Sequence, residues 1–264
     1  MKNKMNKDIV IKQHYIQKFS LAQFGKNAKN SNRYYLKCFD NESNNYIEEV
    51  KNICCEPYFY EYEKFDKNYF EHRISILELT ANNAFLKILK EYNRTSPKKK
   101  KSIYSLKTFN CCMKEIKLLH IYKFIMLQFV RTKKYRDLIN DDDLFFKILN
   151  DILSLNIQKV KNSCFYKNYN VYMCINNTNM DLLINDVNIY YLKDNSGNDI
   201  ITYHLNKNTF FVFINKNKKL NLKVNEELIL KINENVKKSK HNLYFKSPTQ
   251  QEIENYRLKK KNGN

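Results

Sequence analysis

Tryptophan is absent from these 264 residues, and glycine and proline occur three times each. With so little glycine there is no phosphate-cradling Gly loop and no G-x-S-x-G nucleophile elbow. The common nucleotide-dependent enzymes and the Ser-His-Asp hydrolases are set aside on that ground. The same scarcity throws turn-making onto Asn and Asp, which tolerate left-handed backbone better than other non-Gly residues. No run of 18 apolar residues exists, and the stretch from Met1 to Lys7 is polar with no hydrophobic segment behind it. A membrane span and a secretory signal are therefore not expected, and the expected setting is the cytoplasm, with no membrane partner. The seven cysteines are odd in number and lack C-x-x-C spacing, with two adjacent pairs, Cys54-Cys55 and Cys111-Cys112. That pattern points away from a disulfide framework or a zinc site and toward reduced thiols.

What the chain has in quantity is tyrosine, phenylalanine and lysine. Tyr and Phe number 20 and 17, and a hydrophobic fraction of 43% is that of a folded protein with a sizeable core. The formal charge is +20. A basic surface attracts phosphates, so a nucleic-acid partner is one reading. The other is compositional, because Lys, Asn, Ile and Tyr are what an A/T-rich coding sequence supplies in excess. Arginine, which clamps phosphates and bases bidentately, occurs only at positions 33, 73, 94, 131, 136 and 257. Both readings stay open.

Ile16, Phe19 and Phe24 approach helical spacing over residues 11–24, with Gly25 where a helix would stop. Residues 34–39 and 46–50 read as a hairpin around Asp40-Asn41, and residues 54–62 as an ordered aromatic loop. The apolar stripe Ile74, Leu77, Ala81, Phe85 and Ile88 predicts a helix over 70–92. Residues 94–102, with Pro97 before four lysines, form the best linker, and a second helical region follows over 102–132. Asp141-Asp142-Asp143 can cap a third helix reaching residue 161. β-rich runs follow at 169–175, 182–192, 200–205 and 209–214, then helical spacing over 221–236 and a last strand at 241–245. The sum is an α+β protein: an N-terminal helix and hairpin, a central helical bundle, and a C-terminal mostly antiparallel sheet with one or two flanking helices. Residues 1–10 are expected to be a disordered basic tail, 11–247 a single domain, and 248–264 a charged helix or tail.

Several separated motifs resemble those of the family catalogued as domain of unknown function 4238. His14-Tyr15-Ile16-Gln17-Lys18-Phe19-Ser20-Leu21 is similar to its His-Tyr-x-Pro-x-Phe-x-Leu opening. Glu78 matches an acidic residue on a following helix, and Gln128-Phe129-Val130-Arg131-Thr132 matches a Gln-x-x-Arg-Thr segment. Asn185-Asp186-Val187-Asn188 resembles a Ser-Asp-Asn-Pro turn in worn form, and residues 203–209 and 224–226 resemble later family landmarks. The family prolines are replaced by Gln17, by Val187 or Asn188, and by Asn206. The resemblance implies a fold and a set of positions, and no established reaction.

On a helix, Gln128 and Arg131 are three apart and share a face, among Leu127, Phe129 and Val130. A guanidinium in that apolar setting needs a carboxylate, and Glu78, set within its own apolar stripe, is the expected partner across two helices. One reading makes Tyr15, Glu78, Gln128 and Arg131 a structural polar network in a non-enzymatic binding or interaction module. The other adds chemistry: His14 as general acid and base, Asp186 orienting it, and Arg131 neutralising a developing phosphate charge, as in a metal-independent ribonuclease. His72, His120, His204 and His241 share no metal-ligand spacing, so no metal or cofactor is expected. The Tyr- and Lys-rich surface would also suit single-stranded nucleic acid. Nothing in the sequence indicates an oligomeric state.

Overall fold

The computed structural model describes residues 10–42, 44–94, 101–106 and 115–262. The basic tail before Val10, the lysines at 98–100 and Cys111-Cys112 lie outside them. Among the described residues the chain is mixed α+β, with nine α-helices and three antiparallel sheets.

Strand β1 (Lys12–His14) pairs with β5 (Cys55–Pro57), His14 opposite Cys55. The helix expected from residue 11 begins only at Lys18, as α1 (Lys18–Phe24). The backbone before it is taken by the ribbon, with Tyr15 N–H on the Cys54 carbonyl at 3.0 Å and Tyr58 N–H on Ile11 at 2.9 Å. Gly25 ends α1 as expected, and a Cβ there would stand 3.0 Å from the Tyr35 carbonyl. Strands β2 (Lys26–Asn27), β3 (Tyr34–Phe39) and β4 (Asn45–Glu49) follow, the β3–β4 hairpin turning on Asp40, whose carboxylate accepts from Glu42 and Asn44 N–H at 2.9 Å.

Helix α2 (Tyr69–Arg94) buries the predicted stripe. The second helical region does not span the whole of residues 102–132 expected of it. Residues Ile103–Ser105 form strand β6, and α3 is Glu115–Val130. The third helix is also cut. Asp141 caps α5 (Asp142–Ser154), but Leu155 is extended and Asn156 caps a new helix, α6 (Ile157–Asn162), by accepting from Lys159 N–H at 2.8 Å. Between α3 and α5 lies α4 (Lys133–Ile139), and α7 (Cys164–Asn168) follows α6.

The main sheet then forms from β7 (Tyr169–Ile175), β9 (Ile189–Lys193), β10 (Asp199–Asn206) and β11 (Thr209–Asn215), in the order β6-β7-β11-β10-β9. Strand β11 is buried on both faces from Thr209 to Ile214, which suits its continuous apolar run. The remaining C-terminal strands do not join this sheet. Strands β8 (Ile184–Asn185) and β12 (Tyr244–Lys246) pair with each other, and β12 adds to β3, so both ends of the chain build one sheet. Asn225 caps α8 (Glu226–Ser239), and α9 (Gln250–Asn262) closes the chain. Asparagine does take the turns: of six non-Gly residues with positive φ among those described, four are Asn30, Asn68, Asn140 and Asn188.

One ring joins these layers. Phe124 on α3 is fully buried and meets Phe19 of α1, Phe85 of α2 and Tyr203 of β10 at 6.2, 5.6 and 5.9 Å between centroids. Phe124→Ala should cost about 3–5 kcal/mol of unfolding free energy in a urea titration, the range for a buried aromatic whose neighbours cannot collapse into the space. A loss below about 1 kcal/mol would mean that the helices do not converge on this ring.

Candidate functional site

The chain carries an arginine into its interior by ending a helix with it. Arg131 follows the last residue of α3, its N–H still bonded to the Leu127 carbonyl at 3.0 Å. A cation there meets the negative end of the helix dipole. The next residue, Thr132, caps α4, its hydroxyl accepting from Tyr135 N–H at 3.3 Å. Gln-x-x-Arg-Thr is therefore a helix-to-helix junction.

Arg131 is 1% exposed. Its guanidinium donates to the Glu78 carboxylate, to the His14 carbonyl and, through Nε at 3.1 Å, to the Tyr60 hydroxyl. That hydroxyl lies 3.3 Å from the carbonyl oxygens of both His14 and Arg131. Burial works against the charge, but Tyr60 and Glu78 outweigh it and raise the arginine's pKa above its usual value. The ion pair expected between Glu78 and Arg131 is present, and it ties α2 to the end of α3.

His14 joins this centre through its backbone. Its imidazole is held to a pKa of about 4 by burial first and then by the Arg131 and Lys18 charges, against the backbone at Val50 and Lys51. The ring is neutral at pH 7, and its buried Nε2 has no hydrogen-bond partner among the described residues. Tyr15 packs on Phe59 with ring centroids 5.4 Å apart.

Asp186 and Gln128 stand apart from the imidazole. The Asp186 carboxylate accepts from the backbone N–H groups of His241, Asn242 and Leu243 at 2.9, 2.7 and 3.1 Å. Burial raises its pKa and those three bonds oppose the rise. No described bond joins it to His14; it fixes the segment between α8 and β12. Gln128 donates to its own helix, at the Phe124 carbonyl, at 3.1 Å. Of the six singled-out residues, His14, Glu78 and Arg131 meet, Tyr15 is adjacent, and Asp186 and Gln128 serve elsewhere.

Two members of the centre escaped the sequence reading. Tyr60 sat unmarked in an aromatic loop. Glu71, two turns before Glu78 on α2, has its carboxyl pushed up to about 7 by burial, with Arg131 pulling it down and Glu78 and Glu61 adding to the rise. The i, i+7 spacing of the two glutamates on a half-buried helix was its only signal. Among the described residues, no cluster of three His, Cys, Asp or Glu side chains is placed to hold a metal ion, and Cys38, Cys54, Cys55, Cys164 and Cys174 are free thiols.

Beside the closed centre lies an open groove of about 310 Å³ between α3, α4, β9 and α8. Gln128 and Thr132 stand at its junction end. Phe129, Tyr135, Leu138 and Tyr191 supply apolar and aromatic surface, and Lys134 its charge. Among the described residues, no carboxylate, histidine or cysteine lines it.

With this geometry in view, comparison with known proteins places the chain in a family. It belongs to the family described as Protein of unknown function (DUF4238), whose model matches residues 12–249. No curated protein and no solved structure matches it. No helix among the described residues is long and apolar enough to cross a membrane.

Two outcomes test the centre. Arg131→Met should destabilise the fold by about 3–5 kcal/mol, because one member of a buried pair is left unmatched. Adding Glu78→Leu should recover most of that loss, and no recovery would mean the pair is not the unit of stability. Glu71 supplies the pH test. Its folded pKa, about 7, lies above the ordinary value of 4.5, so the protonated form is favoured in the folded state. Its contribution is full below pH 4.5 and is lost as pH rises through 7. Glu71→Gln should therefore gain on the order of 2–3 kcal/mol at pH 8 and nothing at pH 4.5, read from paired denaturation curves.

Proposed function

We propose that this protein is a non-enzymatic binding module whose buried polar network is structural, and that single-stranded nucleic acid is the ligand class of its groove. One observation supports the first part: four polar side chains of the family motifs are spent on backbone and helix ends. Arg131 holds the His14 carbonyl, Thr132 caps α4, Asp186 takes three N–H groups, and Asn225 caps α8 with Leu228 N–H at 3.1 Å. The Arg131 guanidinium, engaged on all sides and enclosed, is not presented to a substrate. The second part draws on the groove, where Tyr135 and Tyr191 offer rings for stacking beside Lys134, with Lys237 and Lys238 in the last turn of α8. The +20 charge of the chain supplies a field that favours phosphate.

A metal-independent ribonuclease is the second reading. What favours it is the neutral His14 imidazole, since a base needs an unprotonated nitrogen near pH 7. Against it, Arg131, the group meant to neutralise phosphate, is saturated and enclosed.

Fluorescence anisotropy with labelled single-stranded RNA and DNA, run beside an EDTA-resistant cleavage assay, separates the two. Tyr135→Ala and Tyr191→Ala should each weaken binding by roughly 5- to 100-fold, the equivalent of one lost stacking contact. Melting temperature should be unchanged for Tyr191→Ala, whose ring is 64% exposed, and affinity should fall steeply with salt. Unaltered binding in the double variant would remove the groove from the proposal. Cleavage that disappears in His14→Ala would overturn the non-enzymatic reading itself.

A further inference from the structure

Helices α2 and α3 and the end of α5 surround a hollow of about 180 Å³. Arg73 lines it from α2. His120 and Lys123, three apart and so on one face, line it from α3. Thr80 and aliphatic side chains complete the wall. Among the described residues no carboxylate lines the hollow, and no ion pair engages Arg73, His120 or Lys123.

The two cations are partly spent on the C-terminus of α5. Lys123 Nζ donates to the Leu153 and Leu155 carbonyls at 2.9 and 2.8 Å. Arg73 donates to the Leu153 carbonyl at 2.9 Å, to Ser154 Oγ at 3.2 Å, to Asn150 Oδ1 at 3.1 Å and to the Tyr69 hydroxyl. All of these acceptors are neutral. A helix C-terminus offers roughly half a negative charge against two full positive ones, so a net positive surplus stays in the hollow. The side chains register it. Burial and then Arg73 lower the pKa of Lys123, and burial and then Lys123 lower that of His120. The buried Nδ1 of His120 has no hydrogen-bond partner among the described residues. Like charges gathered in a half-buried recess cost free energy that a counter-anion recovers.

We propose that this hollow binds a phosphate-type oxyanion, inorganic phosphate or a small phosphomonoester, held by Arg73 and Lys123 with the His120 imidazole as a third donor. Arginine and lysine are the side chains that take up phosphate, one through its planar fork and the other as a point charge. The volume suits one phosphoryl group with a small substituent. None of the lining residues is shared with the groove, so this inference is independent of what binds there.

Isothermal titration of the full chain with inorganic phosphate, at fixed ionic strength, tests it. Saturable binding is expected. Lys123→Met should weaken it roughly 10- to 100-fold, as for the loss of one charge-assisted hydrogen bond. Lys134→Met, in the groove, should leave it unchanged. Because Lys123 also holds the end of α5, a proton NMR titration of the unaltered chain gives a second reading. Phosphate should raise the midpoint of the His120 imidazole, identified by its loss in His120→Ala, since an adjacent anion favours the protonated ring. Three results would overturn the proposal: no saturable binding of phosphate, equal affinity in a folded Lys123→Met variant, or a His120 titration that phosphate does not move.

Discussion

Everything around the polar centre follows from the cost of burying one guanidinium. An arginine removed from water is tolerable only when a carboxylate and enough acceptors surround it. Those partners come from residues 14, 60 and 78, hence from β1, the segment after β5 and α2. The arginine is satisfied only while these three pieces stand together at the end of α3, so it ties the N-terminal ribbon to the helices. Its direct contribution to stability is a separate matter, since desolvation offsets most of the attraction between buried charges.

The family motifs then look like instructions for joints. Gln-x-x-Arg-Thr stops one helix and starts another. Asn185 and Asp186 clamp the chain between β8, α8 and β12: the Asn185 amide donates to the Val236 carbonyl at 2.7 Å and its oxygen accepts from Val187 N–H at 2.9 Å. Asn188, at φ 57°, uses the left-handed region that asparagine tolerates, so the turn closes there without a proline.

What the sequence disclosed depended on whether the governing interaction was local. The stripe of α2, the stop at Gly25 and the cap at Asp141 are local, and they were legible. Strands β1 and β6 were not, because their partners lie at residues 55–57 and 172–174, and a three-residue strand has no periodicity of its own. The break between α5 and α6 was hidden because an asparagine cap does it, with neither Gly nor Pro to mark the place. At the site, the pairing of Glu78 with Arg131 could be read from two charges stranded among apolar neighbours. Tyr60 could not, since nothing near it in sequence requires a hydroxyl. Asp186 was legible as a turn residue but not as an acceptor for N–H groups more than fifty positions later.

These placements bear on where activity can reside. A reacting group has to reach substrate; the Arg131 guanidinium is enclosed, whereas the Glu71 carboxyl is only partly buried and lines an open hollow with His72 and Arg73. The neutral His14 imidazole and the raised Glu71 carboxyl owe their states mainly to burial, the same burial that holds the centre together. Burial alone can produce such shifts, so a shifted pKa does not by itself mark a catalytic group. The groove between α3, α4, β9 and α8 is of another kind, aromatic and edged by Lys134. Arg131 fixes the junction from which α3 and α4 diverge, and with it the positions of Gln128 and Thr132 at one end of that groove.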